Sequence, residues 1–209
     1  MKVLNLYACL GGNRLKWTDC EVTAVELDSE LARMYQERFP NDKVIVGDAH
    51  QYLLDHYKEF DFIWSSPPCP THSRARFWNT KAHRVYPEMS LYQEIIFLQT
   101  HFKGKYVVEN VIPYYEPLIH AQKRHRHLYW TNFKLPTILT KRKIVVCDKD
   151  NDEFIKQCKF HEIDLSSYKG NQRKAKIARN LVDYEAGLTI FNTMRGIEQA
   201  NNTRQTNLF

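Results

Sequence analysis

Apolar and polar positions alternate in blocks along the first two-thirds of the chain. Val3 to Ala8 is an apolar-rich run of strand length, and Val22 to Glu26 is a second that ends in an acid. Lys43 to Val46 is a third, running into Gly47-Asp48-Ala49. Asp61 to Trp64 is a fourth, and Lys105 to Val108 a fifth that ends in Glu109-Asn110-Val111 before Pro113. Between the runs the spacing turns helical. Ser29 to Phe39 carries Leu31, Met34, Tyr35 and Arg38 at helical intervals and is closed by Pro40. Gln51 to Tyr57 is a second helix, and Glu88 to His101, with Leu91, Ile95, Ile96 and Leu98, a third. Strands alternating with helices predict an α/β fold with a mostly parallel sheet covered on both faces.

The residues that end these strands carry the first chemical hint. Cys9-Leu10-Gly11-Gly12-Asn13 is a Gly-bearing turn after the first strand, where glycine lets the backbone approach a ligand closely. Glu26 ends the second strand, and its two oxygens can accept from both hydroxyls of a ribose. Asp48 follows the third strand and can accept from an adenine amino group. Together they predict an adenosine-containing cofactor. Asp48 also suits a helix N-cap, and the Gly turn suits a plain turn.

The fourth strand runs into Ser65-Ser66-Pro67-Pro68-Cys69-Pro70-Thr71-His72-Ser73. Proline lacks an N–H and fixes φ near −65°, so the strand must stop and a rigid loop must present Cys69. Such a thiol sits where open α/β sheets place ligands. A turn with a buried Cys accounts for this stretch equally well. Residues 74–86 are basic and aromatic, with Arg74, Arg76, Phe77, Trp78, Lys81, His83, Arg84 and Tyr86. Directly after Cys69, they read as a mobile loop that touches phosphates and nucleobases. Further on, Arg124 and Arg126 are two apart in a β-rich stretch and predict side chains on one face. One of the two is expected to be a structural salt-bridge residue.

Composition narrows the classes. At 209 residues, 43% hydrophobic, the chain suits one domain with a sizeable core. Lys plus Arg is 30 against 24 acids, a net charge of +6 that favours a polyanionic partner such as nucleic acid. Five scattered cysteines form no disulfide framework, and no Cys or His spacing suggests a metal site. A reducing cytoplasm is the expected compartment. The N-terminal apolar run breaks at Gly11-Gly12 and is read as a strand rather than a signal peptide, and no stretch approaches a membrane span.

Taken in order, these residues resemble the DNA (cytosine-5) methyltransferase family. Tyr7-Ala8-Cys9-Leu10-Gly11-Gly12 is similar to the family's first motif, usually Phe-Ala-Gly-x-Gly-Gly, with Cys9 replacing the first glycine. Glu26-Leu27-Asp28 and Gly47-Asp48 resemble the next two cofactor motifs. Ser66-Pro67-Pro68-Cys69 resembles the catalytic Pro-Cys motif, although Pro70 stands where the family has Gln. Glu109-Asn110-Val111 matches Glu-Asn-Val, and Gln122 to Arg126 matches Gln-x-Arg-x-Arg. Arg173 to Leu188, with Ala178-Arg179-Asn180, resembles the final motif that returns to the cofactor.

The resemblance implies a Rossmann-like S-adenosylmethionine-dependent methyltransferase fold and a division of the chain. Residues 1–133 would form the cofactor and catalytic core, 134–172 a reduced target-recognition insert, 173–200 a helical segment returning to the core, and 201–209 a flexible tail. Cys69 would be the nucleophile, Glu109 would hydrogen-bond ring nitrogen 3, Arg126 the exocyclic oxygen, and Asn110 would orient the site. Tyr7, Ala8, Leu10, Gly11, Gly12, Glu26, Leu27, Asp48, Ala49, Pro67 and Asn180 would cradle S-adenosylmethionine. Arg74, Arg76 and Arg124 would meet double-stranded DNA, whose target base must flip out. The minimal size matches a phage-borne or restriction-modification enzyme.

Three other readings share these residues. An amino-methyltransferase would use Ser66-Pro67-Pro68-Cys69 as a variant of Asp-Pro-Pro-Tyr, but Cys69 stands where that chemistry needs an aromatic. An RNA-directed member of the same family would fit a small recognition segment. A cofactor- or DNA-binding relic would not need intact Cys69, Glu109 and Arg126. In the tail, Gln205, Leu208 and Phe209 resemble the Gln-x-x-Leu-Phe peptide that docks on bacterial sliding clamps.

Overall fold

The computed structural model describes residues 1–74, 86–141 and 151–197, and the side chains of residues 151 and 152 are outside that description. Arg76, the rest of the basic-aromatic stretch up to residue 85, and tail residues Gln205, Leu208 and Phe209 lie outside the described residues. The elements are β1 (Lys2–Leu6), β2 (Glu21–Glu26), α1 (Ser29–Arg38), β3 (Lys43–Val46), α2 (Ala49–His56), β4 (Phe62–Ser65), α3 (Ser90–His101), β5 (Lys105–Val111), β6 (Gln122–Arg124), β7 (His127–Thr131), α4 (Asn151–His161), α5 (Lys174–Asn180) and α6 (Tyr184–Met194). A 3-10 turn, Tyr57–Glu59, follows α2.

Among the described residues, seven strands form one sheet in the order β3-β2-β1-β4-β5-β7-β6. The pairs from β3 through β5 are parallel, and β7 runs antiparallel to both β5 and β6. The fold is a Rossmann-like α/β sheet.

Strand periodicity divides the core between the two faces. Leu4, Leu6, Ile63, Val108, Leu128 and Trp130 point to the face covered by Leu53 of α2 and by Leu91, Ile95 and Leu98 of α3. Val3, Val22, Phe62, Trp64, Val107 and Tyr129 point to the opposite face, covered by Trp17 and by Ala186, Ile190 and Phe191 of α6. Ala24, on the Val22 face, meets Tyr35 of α1. Among the described residues, three helices begin at aspartate caps. Asp28 and Asp183 each accept two backbone N–H groups from the first turn that follows, and Asp48 accepts one.

Two elements differ from their expected form. β5 continues through Glu109, Asn110 and Val111 instead of stopping at Val108, because those residues pair with Tyr129, Leu128 and His127 of β7. Arg124 and Arg126 do not share a strand. They flank a hairpin turn at His125, whose φ is 49°.

The segment expected to be a recognition insert shares core with the rest of the domain. Leu135 and Leu139 join the cluster beneath α6. Leu165 and Tyr168 pack with Leu10, with Leu31 and Met34 of α1, and with Ile177 and Ala178 of α5. Among the described residues, no helix is long and apolar enough to cross a membrane.

Candidate active site

A cleft of about 830 Å³ opens at the carboxyl ends of the parallel strands. Its first wall is the turn after β1. Tyr7 (φ 56°) and Cys9 (φ 47°) take left-handed conformations that non-glycine residues rarely adopt, and Gly11 follows at φ 67°. The turn is held by Ala8 N–H donating to Val25 O at 3.0 Å and Gly11 N–H donating to Ala8 O at 2.8 Å.

The two glycines serve the chain's own packing. A Cβ on Gly11 would meet the Tyr35 and Phe39 rings, and a Cβ on Gly12 would lie 2.5 Å from Val182 O. Gly12 therefore admits the segment between α5 and α6, and the expected approach to a ligand is not its sole constraint. Tyr7, Ala8 and Gly12 line the cleft, whereas Leu10 and Gly11 do not. Leu10 turns instead into the cluster with Leu31 and Ile177.

The second wall holds the two acids. Glu26 accepts Cys9 N–H at 2.8 Å through Oε2 and Asp28 N–H at 2.9 Å through Oε1. Burial raises the Glu26 carboxyl above its ordinary range, opposed by these backbone donors. Burial and then Glu26 push the neighbouring Cys9 thiol up to about 12. Asp48 spends Oδ1 on Gln51 N–H at 2.8 Å, so its cap role and its place on the cleft coexist. Leu27 and Ala49 line the same wall, and Leu27 is 72% exposed.

Cys69 and Pro68 enter the cleft from the loop after β4. The Cys69 carbonyl accepts His72 N–H and Ser73 N–H, each at 3.0 Å, which folds the loop into a turn. Asn110 on neighbouring β5 fixes that loop from the side. Its Nδ2 donates to Pro67 O at 2.9 Å while its Oδ1 accepts Val111 N–H at 2.9 Å. Pro67 itself is thus a bonded part of the loop and not a lining residue. Beyond Cys69, buried His72 shares a 2.6 Å hydrogen bond with Tyr115, and Arg74 Nε donates to Pro113 O at 3.0 Å. Burial lowers the His72 imidazole below its ordinary range.

Glu109 is buried one residue before Asn110 and faces His127 Nε2 at 3.5 Å. Burial raises the Cys69 thiol above its ordinary value. Glu109 raises it further, while its own backbone N–H and Lys176 act to lower it. The β4–β5 pairing thus brings Cys69, Glu109 and Asn110 together. Arg126 is exposed on the hairpin turn and tied to β5 through Ile112 N–H donating to its carbonyl at 3.2 Å. Arg124, expected to meet nucleic acid, commits its guanidinium to Pro136 O at 2.6 Å and Leu135 O at 2.7 Å. It is the structural arginine, with carbonyls in place of an acid.

The model of C-5 cytosine-specific DNA methylase matches residues 1–132. The chain belongs to that family. No curated protein sequence matches it. Among solved structures it is similar to a variant of DNMT2 from Spodoptera frugiperda, with 25% identity over 53% of this chain and 35% of that one, at a TM-score of 0.39. It is also similar to a prophage-encoded E. coli protein described as a DNA modification methyltransferase, with 19% identity over 56% and 33% of the two chains, at 0.39. A third is a SAM-dependent methyltransferase from Agrobacterium tumefaciens, with 17% identity over 55% and 40%, at 0.41. This chain spans well under half the length of each.

The family match covers every strand of the sheet, and with it Cys69, Glu109, Asn110 and Arg126. Asn180 lies beyond the match, yet α5 brings it to the cleft together with Lys176, and Gln172, just before α5, lines it too. Sequence reading missed Lys176, although it stands one helical turn before Asn180 and so on the same face. It also missed Glu94, whose signal was a charge on the apolar stripe of Leu91, Ile95 and Leu98.

Proposed function

We propose that this chain methylates carbon 5 of cytosine in DNA through a covalent adduct of Cys69. The observation that carries the reading is the placement of Cys69 on the wall of an acid-lined cleft, within electrostatic reach of buried Glu109 on the adjacent strand.

The cleft fits S-adenosylmethionine by its donor chemistry. Its volume suits a ligand of that size. Glu26 and Asp48 keep lone pairs free beyond their backbone bonds, suited to ribose hydroxyls and an amino group. The exposed Leu27 side chain offers apolar surface that a nucleobase would cover. When bound, S-adenosylmethionine supplies an electrophilic methyl group.

Carbon 5 of cytosine is a weak nucleophile. Attack of the Cys69 thiolate on carbon 6 forms an S–C bond and moves the ring's double-bond electrons toward carbon 5, which then accepts the methyl group. Glu109 faces ring nitrogen 3 and, sharing a proton with it once the base is seated, offsets the charge that develops there. Loss of the carbon 5 proton to a base restores the double bond and expels the thiolate. Asn110 keeps the loop in register through Pro67 O. The Arg126 side chain, exposed on the hairpin, closes on the base's exocyclic oxygen. Arg74 and the basic stretch after it contact the backbone of duplex DNA. The tail's Gln205, Leu208 and Phe209 add a clamp-docking peptide to this reading.

The test is transfer of labelled methyl groups from S-adenosylmethionine to duplex DNA, with RNA and Cys69→Ala as controls. The expected result is 5-methylcytosine in DNA and at least a roughly 1,000-fold loss in the variant. Transfer to RNA alone would move the substrate, and full activity of Cys69→Ala would remove the nucleophile.

A further inference from the structure

One buried carboxylate joins loops that meet on both sides of the cleft. Glu94 of α3 has no exposed surface. Its Oε1 accepts from the Tyr7 hydroxyl and pairs with His50 Nδ1 at 3.1 Å. Its Oε2 accepts from the Ser65 hydroxyl at 2.6 Å.

The three partners stand at functional positions. Tyr7 opens the strained turn after β1. His50 lies in the first turn of α2, two residues past Asp48. Ser65 ends β4, at the root of the loop that presents Cys69. Tyr7 and His50 line the cleft, while Ser65 and Glu94 are hidden behind it. A carboxylate without solvent needs compensating donors, and three separate segments supply them. Burial and Glu94 raise the Tyr7 phenol, which keeps it a donor at neutral pH. The hydrogen bond to Glu94 raises the His50 imidazole as well.

We propose that Glu94 is a positioning residue that fixes the cofactor turn and the root of the Cys69 loop to each other. Losing a contact at one end therefore loosens the other. The inference rests on the cofactor reading of the cleft given above. A carboxylate with a merely structural role would lower thermal stability when removed, yet leave each end indifferent to the hydroxyl at the opposite end.

The experiment uses the full chain and the variants Tyr7→Phe, Ser65→Ala, their double and Glu94→Gln, all held well below their melting temperatures. S-Adenosylhomocysteine affinity is read by calorimetry. Cys69 alkylation by iodoacetamide is read by mass spectrometry, which separates Cys69 from the other cysteines. Ser65→Ala, which touches no cleft surface, is expected to weaken S-adenosylhomocysteine binding roughly three- to tenfold. Tyr7→Phe is expected to change the Cys69 alkylation rate by about threefold or more. The double variant is expected to fall short of the product of the single effects, since both hydroxyls act through one carboxylate. Glu94→Gln, of similar volume, is expected to show both changes.

Wild-type affinity and wild-type alkylation in Ser65→Ala and Tyr7→Phe, or fully multiplicative effects, would overturn the coupling. If the wild-type chain itself failed to bind S-adenosylhomocysteine, the cofactor reading would fall and this inference with it. Binding by wild type with no change in the variants would sink the coupling alone.

Discussion

At the Glu26 end of the cleft, both carboxylate oxygens already hold backbone N–H groups, from Cys9 and Asp28. At the other end, the Cys69 thiol lies between the opposing charges of Glu109 and Lys176. The first arrangement is preorganised, with acceptors fixed before any ligand arrives, which limits the ordering cost of binding. The second is contested, because the half-buried thiol is held back from ionising while the Lys176 ammonium favours the thiolate. A binding surface gains from satisfied partners, whereas a nucleophile satisfied in the same way would be inert.

The largest effect that would sharpen this contrast is expected at Glu26. Replacing it with Gln removes an acceptor for one of two backbone N–H groups and the charge facing the cleft. S-Adenosylhomocysteine affinity is expected to fall roughly 10- to 100-fold by calorimetry, with Cys69 alkylation almost unchanged. An equal effect on both readouts would dissolve the distinction between the ends.

Asn110→Ala acts at the opposite end. It frees Pro67 O and leaves the Pro-Cys loop without its lateral hydrogen bond. Single-turnover methyl transfer is expected to slow about tenfold while S-adenosylhomocysteine affinity stays within about twofold. A loss of affinity with normal turnover would reverse the assignment.

The smallest effect is expected from Lys176→Met. Without the ammonium, the thiol should ionise at higher pH, and alkylation of Cys69 at pH 8 should slow about threefold. The sign follows from the raised thiol. Thiolate is scarce at neutral pH, so the wild-type rate climbs as pH rises, and the variant's profile should lie further toward alkaline pH. A profile that does not move would take Lys176 out of the account.

The contrast also marks what the sequence could show. Strand-end residues were legible because strand periodicity fixes where a run stops and a loop begins. That placed Glu26, Asp48 and Cys69 at one edge of a parallel sheet. The Gly11-Gly12 turn was legible as a turn, but not as the place where the α5–α6 connection packs, since Val182 is remote in sequence. The same limit hid the hairpin. Nothing local distinguishes two arginines on one strand from two that flank a residue in a left-handed turn. Arg124 took its structural role from the carbonyls of Leu135 and Pro136, which only the folded chain brings near. Residues 164–172 are mostly polar, with Asp164 and Lys169 as their two charged side chains, and read locally as plain surface. Yet Tyr168 and Gln172 hydrogen-bond Asp28, at 2.8 Å and 3.2 Å, beside the cleft. Long-range partners of this kind leave no periodic trace.

The most direct test of the central claim is trapping on duplex DNA that carries 5-fluorocytosine, in the presence of S-adenosylmethionine. Fluorine cannot leave carbon 5 as a cation, so an adduct formed by a thiolate nucleophile cannot resolve. The account predicts a denaturation-stable protein–DNA species with wild type and none with Cys69→Ala, with the cross-linked peptide containing Cys69. A stable complex that survives in Cys69→Ala, or wild-type methyl transfer to cytosine without any trapped species, would contradict it.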